Sequence, residues 1–221
     1  MSRSILFKDH LLQLVRSGAK TQTSRLPLQI IPCTAEMVQC KDLQKDSHTL
    51  KEYVFSVVSD YTLTVRTRYY PGEVIPVSEA WKCIRKDDTH RNMDIEFRDG
   101  QVVHIYFPSE ARYVKFQKYF GKSGWQSPYF LPKEAVRLYL QVEQSSIRRL
   151  SSLTIPEIYA EGCPKTEKGI DARVWMDTTW DICAPAKIIE SSISDVMSFN
   201  DPWIESITFQ KFYDKAQETA K

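Results

Sequence analysis

Along this chain, apolar positions recur at strand spacing in many places and at helical spacing in few. After the apolar residues Ile5, Leu6 and Phe7, Leu11, Leu12 and Val15 follow the period of a helix, and Gly18 stands where its C-terminal cap belongs. The polar, Thr-rich stretch Lys20–Arg25 does not continue that helix, and Pro27 and Pro32 punctuate the chain after it. Tyr53–Val58 and Thr62–Arg66 read as two strands joined through Ser59 and Asp60. Tyr70-Pro-Gly-Glu73 places Pro and Gly as a type II turn requires. The short run Val74–Val77 contains Pro76, which predicts a strand at a sheet edge. Asp94–Arg98 and Gln101–Phe107 flank Asp99-Gly100 and predict a hairpin closed by a two-residue turn. Leu138, Leu140 and Val142 alternate with polar residues, the pattern of a half-buried strand. Thr154-Ile-Pro-Glu157 is a capping-box helix start. Gly162 sits where that helix stops, with Tyr159, Ala160 and Glu161 in its last turn. Trp203 to Phe212 reads as a closing strand with Trp203, Ile207 and Phe209 on one face. Many short strands with a few helices predict one compact α+β or barrel domain over residues 1–221.

Composition narrows the classes. Hydrophobic residues make up 42% and aromatic residues 12% of 221, enough for a real core and too much for global disorder. Charges or prolines interrupt every apolar run well short of the roughly 18 residues a membrane span needs. Met1–His10 lacks a signal-type apolar region, so a cytoplasmic protein with no membrane role is expected. Thirty basic against 28 acidic side chains leave a net charge of +2, so nucleic-acid contact must come from local clustering. The five cysteines, Cys33, Cys40, Cys83, Cys163 and Cys183, contain no C-x-x-C pair and are expected to be small buried hydrophobes in a reducing compartment. The four histidines are scattered, and no metal or other cofactor is expected.

Several segments, in order, carry a further signal. They are Gly18-Ala-Lys-Thr-Gln-Thr-Ser-Arg25; Tyr70-Pro-Gly-Glu-Val-Ile-Pro-Val-Ser-Glu-Ala-Trp81; and Trp125-Gln-Ser-Pro128 with Leu131-Pro-Lys-Glu-Ala-Val-Arg137. Leu150 to Gly162, ending Ala160-Glu-Gly162, and Asp201-Pro-Trp203 complete the set. Together these resemble the ASCH domain family, a branch of the PUA-like β-barrel superfamily, and its phage-type members in particular. The resemblance covers roughly half the chain. The stretches at about 34–68, 85–123 and 165–200 would then be insertions on the core barrel. Ser24-Arg25-Leu26 departs from the phage-type T-R-R, Glu73 replaces the usual Asp, and Leu131 the usual Met.

The resemblance implies a protein that binds RNA, a nucleotide or a modified nucleoside. In hydrolytic members it implies an amidohydrolase acting on N4-acylated cytidine, or a ribonuclease. It transfers the catalytic roles to Lys20, Thr23 and Glu161. Thr21, Ser24, Arg25, Glu79, Trp81 and Trp125 become candidates for nucleotide binding. The chemistry is coherent: a threonine hydroxyl needs a nearby base before it attacks, and a carboxyl can protonate the leaving amine. One geometric condition follows. In a regular strand, residues 20 and 23 face opposite sides while 21, 23 and 25 share one, so Lys20 meets Thr23 only if the chain bends or bulges between them.

Each candidate has a plainer reading. Lys20 and Arg25 serve equally as solvated surface charges, and Trp81 and Trp125 as core. Glu79 is either a second acid or a partner for Arg25, and the basic stretch Arg66 to Arg91 either a solvated face or a phosphate track. Glu161 sits awkwardly at the negative end of a helix, which favours a functional or ion-paired role. Two other functions remain open: a non-catalytic module for RNA or single strands, and a phage interaction or morphogenesis protein using its insertions as a protein interface.

Overall fold

The computed structural model describes residues 4–29, 31–32, 34–45, 48–58, 61–165, 171–183 and 201–214. Its strands are β1 (Ile5–Leu6), β2 (Gln22–Arg25), β3 (Glu36–Lys45), β4 (His48–Val58), β5 (Tyr61–Arg66), β6 (Val74–Ser78), β7 (Trp81–Asp87), β8 (Asn92–Phe97), β9 (Val102–Tyr106), β10 (Leu138–Arg149) and β11 (Trp203–Asp214). Its helices are α1 (Asp9–Ser17), α2 (Glu110–Gln117), α3 (Ile155–Ala160) and α4 (Ala172–Cys183). The protein is mixed α+β with strands dominant. Among the described residues, no helix is long and apolar enough to cross a membrane.

The chain gathers into two compact units, each assembled from separated segments. Unit 1 comprises Met1–Arg16, Val74–Leu140 and Lys211–Lys221; unit 2 comprises Ser17–Glu73 and Gln141–Gln210.

In unit 1, β1 runs parallel to β6, with Ile5 beside Val77 and Leu6 beside Ser78. Here the structure corrects an expectation: β6 lies between β1 and β10 and is not an edge strand, despite Pro76. The missing N–H of Pro76 costs one ladder bond, and the apolar residues around it offset that cost, since Ile75 and Val77 are fully buried. β7, β8 and β9 form an antiparallel meander. The predicted β8–β9 hairpin is present, but its loop has three residues. Phe97 N–H donates to Gln101 O, Gly100 N–H donates to Phe97 O, and Gly100 takes φ +80°. That is a turn closed by a left-handed glycine, not a two-residue primed turn. α2 lays Tyr113 and Phe116 onto this meander, where Trp81, Phe97 and Phe107 complete an aromatic core.

In unit 2, β3, β4 and β5 form a second antiparallel meander, built from the stretch expected to be an insertion. β3 was not foreseen as a strand. It holds to β4 over nine residue pairs from Glu36–Ser56 to Lys45–His48, although most of its side chains face water. β11 pairs antiparallel with β2. The core divides into Tyr53, Phe55, Val65, Ile147 and Trp203 on one side, and Leu150, Leu153, Ile158 and Ile204 on the other. The stretch expected as an insertion at about 165–200 contributes α4; residues 166–170 and 184–200 lie outside the described residues.

Candidate functional site

β2 is the element that organises the candidate site of unit 2. Its register with β11 is regular: Thr208–Gln22, Ile207–Thr23, Ser206–Ser24 and Glu205–Arg25. Phe209 N–H donating to Thr21 O extends the same register one step further back. Across this stretch there is no bulge, so successive side chains alternate between two faces. Lys20, Gln22 and Ser24 follow one parity; Thr21, Thr23 and Arg25 the other.

On the first face a carboxylate gathers two of these side chains. α3 is started by the expected capping box, in which the Thr154 hydroxyl and Glu157 carboxylate cap each other's backbone. Glu161 is its C-cap, and Gly162 ends it at φ +103°. Thr21 N–H donates to Ala160 O and ties the helix end to the strand. Lys20 Nζ donates to Glu161 Oε2 at 3.0 Å and also to the Glu161 backbone carbonyl. The ammonium thus occupies the carbonyl end of the helix, where a positive charge is favoured. Ser24 Oγ donates to Glu161 Oε1 at 2.5 Å. Lys20 is 2% exposed and Glu161 5%, while Ser24 is half-buried. Gln22, 2% exposed, leaves its Nε2 without a hydrogen-bond partner.

On the second face lie Thr23, which is buried, and the half-buried Arg25. Thr21, by contrast, is exposed. Across the ladder from Arg25 is Glu205, 1% exposed, which accepts from Arg68 N–H and from Ser145 Oγ at 2.8 Å. Burial pushes the Glu205 carboxyl above the usual carboxylate range, against the lowering pull of those donors and of Arg68. Burial likewise raises the Tyr69 hydroxyl, opposed by Arg68 and Arg25.

The remaining candidates belong to unit 1. Glu79 is buried and held by two guanidiniums. Arg16 Nη2 lies 3.0 and 3.1 Å from its two oxygens, and Arg137 donates through Nε at 3.0 Å and Nη2 at 2.6 Å. Arg137, 1% exposed, also pairs with Asp99 at 2.7 Å and lies over the Phe97 ring at 3.8 Å. A cleft of about 280 Å³ opens beside this network, lined in part by His10, Gln13 and Arg98. Trp81 is fully buried and packs edge-on against Phe116 and Tyr119, so it is core. Trp125 is exposed, with Arg98 5.7 Å from its ring. Of the cysteines expected to be buried, Cys83 and Cys163 are, and Cys40 is exposed on β3.

The chain matches no family model, no curated protein and no solved structure. What the site can do therefore rests on its own geometry. The structure brings Lys20, Ser24 and Glu161 together and puts Thr23 on the opposite face of the strand. Sequence reasoning passed over Gln22 and Glu205. The signal for Gln22 was its parity with Lys20 and Ser24; for Glu205 it was a carboxylate on the face of the strand that Trp203, Ile207 and Phe209 make apolar.

Proposed function

We propose that this is a PUA-like protein of the ASCH type that binds a nucleotide or nucleic-acid base and hydrolyses an N4-acylated cytidine at Lys20, Ser24 and Glu161. The observation that supports it is the convergence of the Lys20 ammonium and the Ser24 hydroxyl on the two oxygens of one buried carboxylate. A hydroxyl within hydrogen-bond reach of a base that a third group orients is the arrangement of an activated nucleophile. Lys20 and Glu161 are 2% and 5% exposed, so the carboxylate and its counter-charge are held away from bulk water.

The chemistry runs as follows. Ser24 Oγ attacks the acyl carbonyl carbon while its proton passes to Glu161, and the C=O electrons move onto oxygen. Lys20 holds the carboxylate in place and balances its charge. Gln22 Nε2, the buried donor lacking an acceptor, supplies a hydrogen bond to the oxyanion. Collapse breaks the bond to the exocyclic nitrogen, which takes the proton from Glu161 and leaves as the amine of cytidine. Water, deprotonated by Glu161, then attacks the acyl-serine ester; the bond to Ser24 Oγ breaks, Oγ takes that proton back from Glu161, and the carboxylic acid leaves. Because Ser24 is the least buried of the three, the nucleophile faces solvent with the base and cation behind it.

Turnover of N4-acetylcytidine by the wild type and by Ser24→Ala, Thr23→Ala, Lys20→Ala and Glu161→Gln tests the reading. Hydrolysis lost in Ser24→Ala and Glu161→Gln, retained in Thr23→Ala, and accompanied by an acyl-serine adduct in rapid-quench mass spectrometry is the expected result. Loss in Thr23→Ala with retention in Ser24→Ala overturns the assignment of the nucleophile. No hydrolysis by the wild type overturns the enzyme, leaving a module that binds without turnover.

A further inference from the structure

Unit 1 carries a surface that the proposed hydrolysis does not use. Between residues 112 and 133 there are five basic side chains and not a single aspartate or glutamate. The same stretch exposes large rings: Tyr129 is 76% exposed, Phe130 54%, Phe120 42% and Trp125 40%. Exposed rings at this density are unusual on a lone soluble surface and mark a place of contact.

The cations sit on the ring faces. Lys118 and Lys122 lie 5.2 and 5.1 Å from the Tyr119 ring, and Phe130 stacks on that same ring at 6.2 Å. Lys86 lies 5.7 Å from the Phe120 ring, and Arg98 the same distance from that of Trp125. Two nearby carboxylates are already committed, while Glu110 stands in the first turn of α2. Asp88 pairs with Lys86 at 2.9 Å, and Glu134 with Arg112 at 2.8 Å. Among the described residues, no carboxylate lies within ion-pairing distance of Lys115, Lys118, Lys122 or Lys133. The result is uncompensated positive charge interleaved with solvent-facing aromatic planes.

From this surface we infer that unit 1 binds single-stranded nucleic acid, its bases stacking on Trp125, Tyr129 and Phe130 and its phosphates neutralised by Lys115, Lys118, Lys122 and Lys133. The inference goes beyond the hydrolytic reading and stands without it. A single strand offers the two things that complement this surface, unpaired flat rings to stack on its aromatic planes and a regular negative charge to meet its lysines. A duplex hides its rings and an acidic peptide carries none in register with its charges; an anionic bilayer also receives Trp and Tyr at its interface, and the vesicle arm of the test separates it.

Fluorescence anisotropy with labelled twelve-nucleotide oligo(U) and oligo(dT) tests it on the full chain, against a twelve-base-pair duplex, a poly-glutamate peptide and phosphatidylserine vesicles. Both single strands should bind more tightly than the duplex, with log K falling against log salt at a slope of about −3 for four phosphate contacts. Lys118→Ala with Lys122→Ala should reduce that slope by about 1.4, two contacts' worth. Trp125→Ala and Tyr129→Ala should each weaken binding roughly 5- to 100-fold while leaving the slope unchanged. Circular dichroism checks the fold of each variant, and all four side chains are at the surface. RNA bound more tightly than DNA, or the reverse, supports the inference and names the strand. No binding at low salt, equal binding to the duplex, preference for the peptide or vesicles, or indifference to the aromatic substitutions overturns it.

Discussion

Replacing Glu79 with alanine removes the carboxylate that two buried guanidiniums share. Four hydrogen bonds go with it: two from Arg16 at 3.0 and 3.1 Å, and two from Arg137 at 3.0 and 2.6 Å. Arg137 is 1% exposed, so water cannot take the place of the lost partner. Breaking a buried ion pair by removing one side costs about 3–5 kcal/mol. Arg137 keeps Asp99, Gln101 Oε1 at 2.7 Å and the Phe97 ring, which places the expected loss at about 3–4 kcal/mol. For a chain of this size that lowers Tm by roughly 6–16 °C in scanning calorimetry. Hydrogen exchange should locate the loss of protection in β7, β8 and β9. Arg137→Met should cost a comparable amount. Glu79→Ala combined with Arg137→Met should cost clearly less than the two singles added, because no charge of that pair is then left buried and alone. A loss under about 1 kcal/mol for Glu79→Ala, or singles that add, would refute the view that this network holds unit 1 together.

Three further outcomes follow from the geometry of unit 2. Gly162→Ala forces a side chain onto a residue at φ +103°, costing about 1–2 kcal/mol and shifting Glu161; N4-acetylcytidine hydrolysis should fall at least about tenfold, whereas Gly100→Ala, at φ +80° in unit 1, should leave it unchanged. Thr154→Ala dissolves the capping box and should lower stability by about 1 kcal/mol in urea unfolding. Glu205 titrates above its unfolded value because it is buried, so the folded chain binds its proton more tightly than the unfolded chain. Stability should therefore fall as pH rises from the ordinary glutamate range through the raised value. Glu205→Gln should flatten that fall, seen as an advantage over wild type in urea midpoints that grows from about pH 4 upward and then levels.

Local signals were legible where the physics is local. Thr154, Glu157 and Gly162 state the start and stop of α3 within nine residues, because capping and left-handed termination involve only near neighbours. The alternation of Leu138, Leu140 and Val142 likewise states which face of β10 is buried. Pro76 misled because its apolar neighbours decide the strand's position and its missing donor does not. β3 was silent because its alternation is mostly polar, and the ladder to β4 rather than burial holds it. The network of Arg16, Glu79 and Arg137 was beyond reach, since its partners lie 58 to 63 residues apart. For the candidate site, parity was readable and decisive. Residues 20, 22 and 24 share a face in any unbulged strand, and the structure sets Ser24 beside Lys20 and Glu161 while Thr23 looks away.

The interleaved segments of the two units have a consequence for how the chain is made. Unit 1 takes in Met1–Arg16 and Val74–Leu140 but also residues from Lys211 onward, and unit 2 closes only at Gln210. A ribosome delivers about 5–20 residues per second, so Leu140 waits roughly 4–14 s before Lys211 follows it out. In that interval β10 has no β11 to pair with, and its row of unpaired amides is open to any other strand, including one from a neighbouring nascent chain. Neither unit can serve as a finished template for the other during synthesis. The nascent protein is therefore a natural client for holding chaperones, and slowing translation after Leu140 should lower its soluble yield.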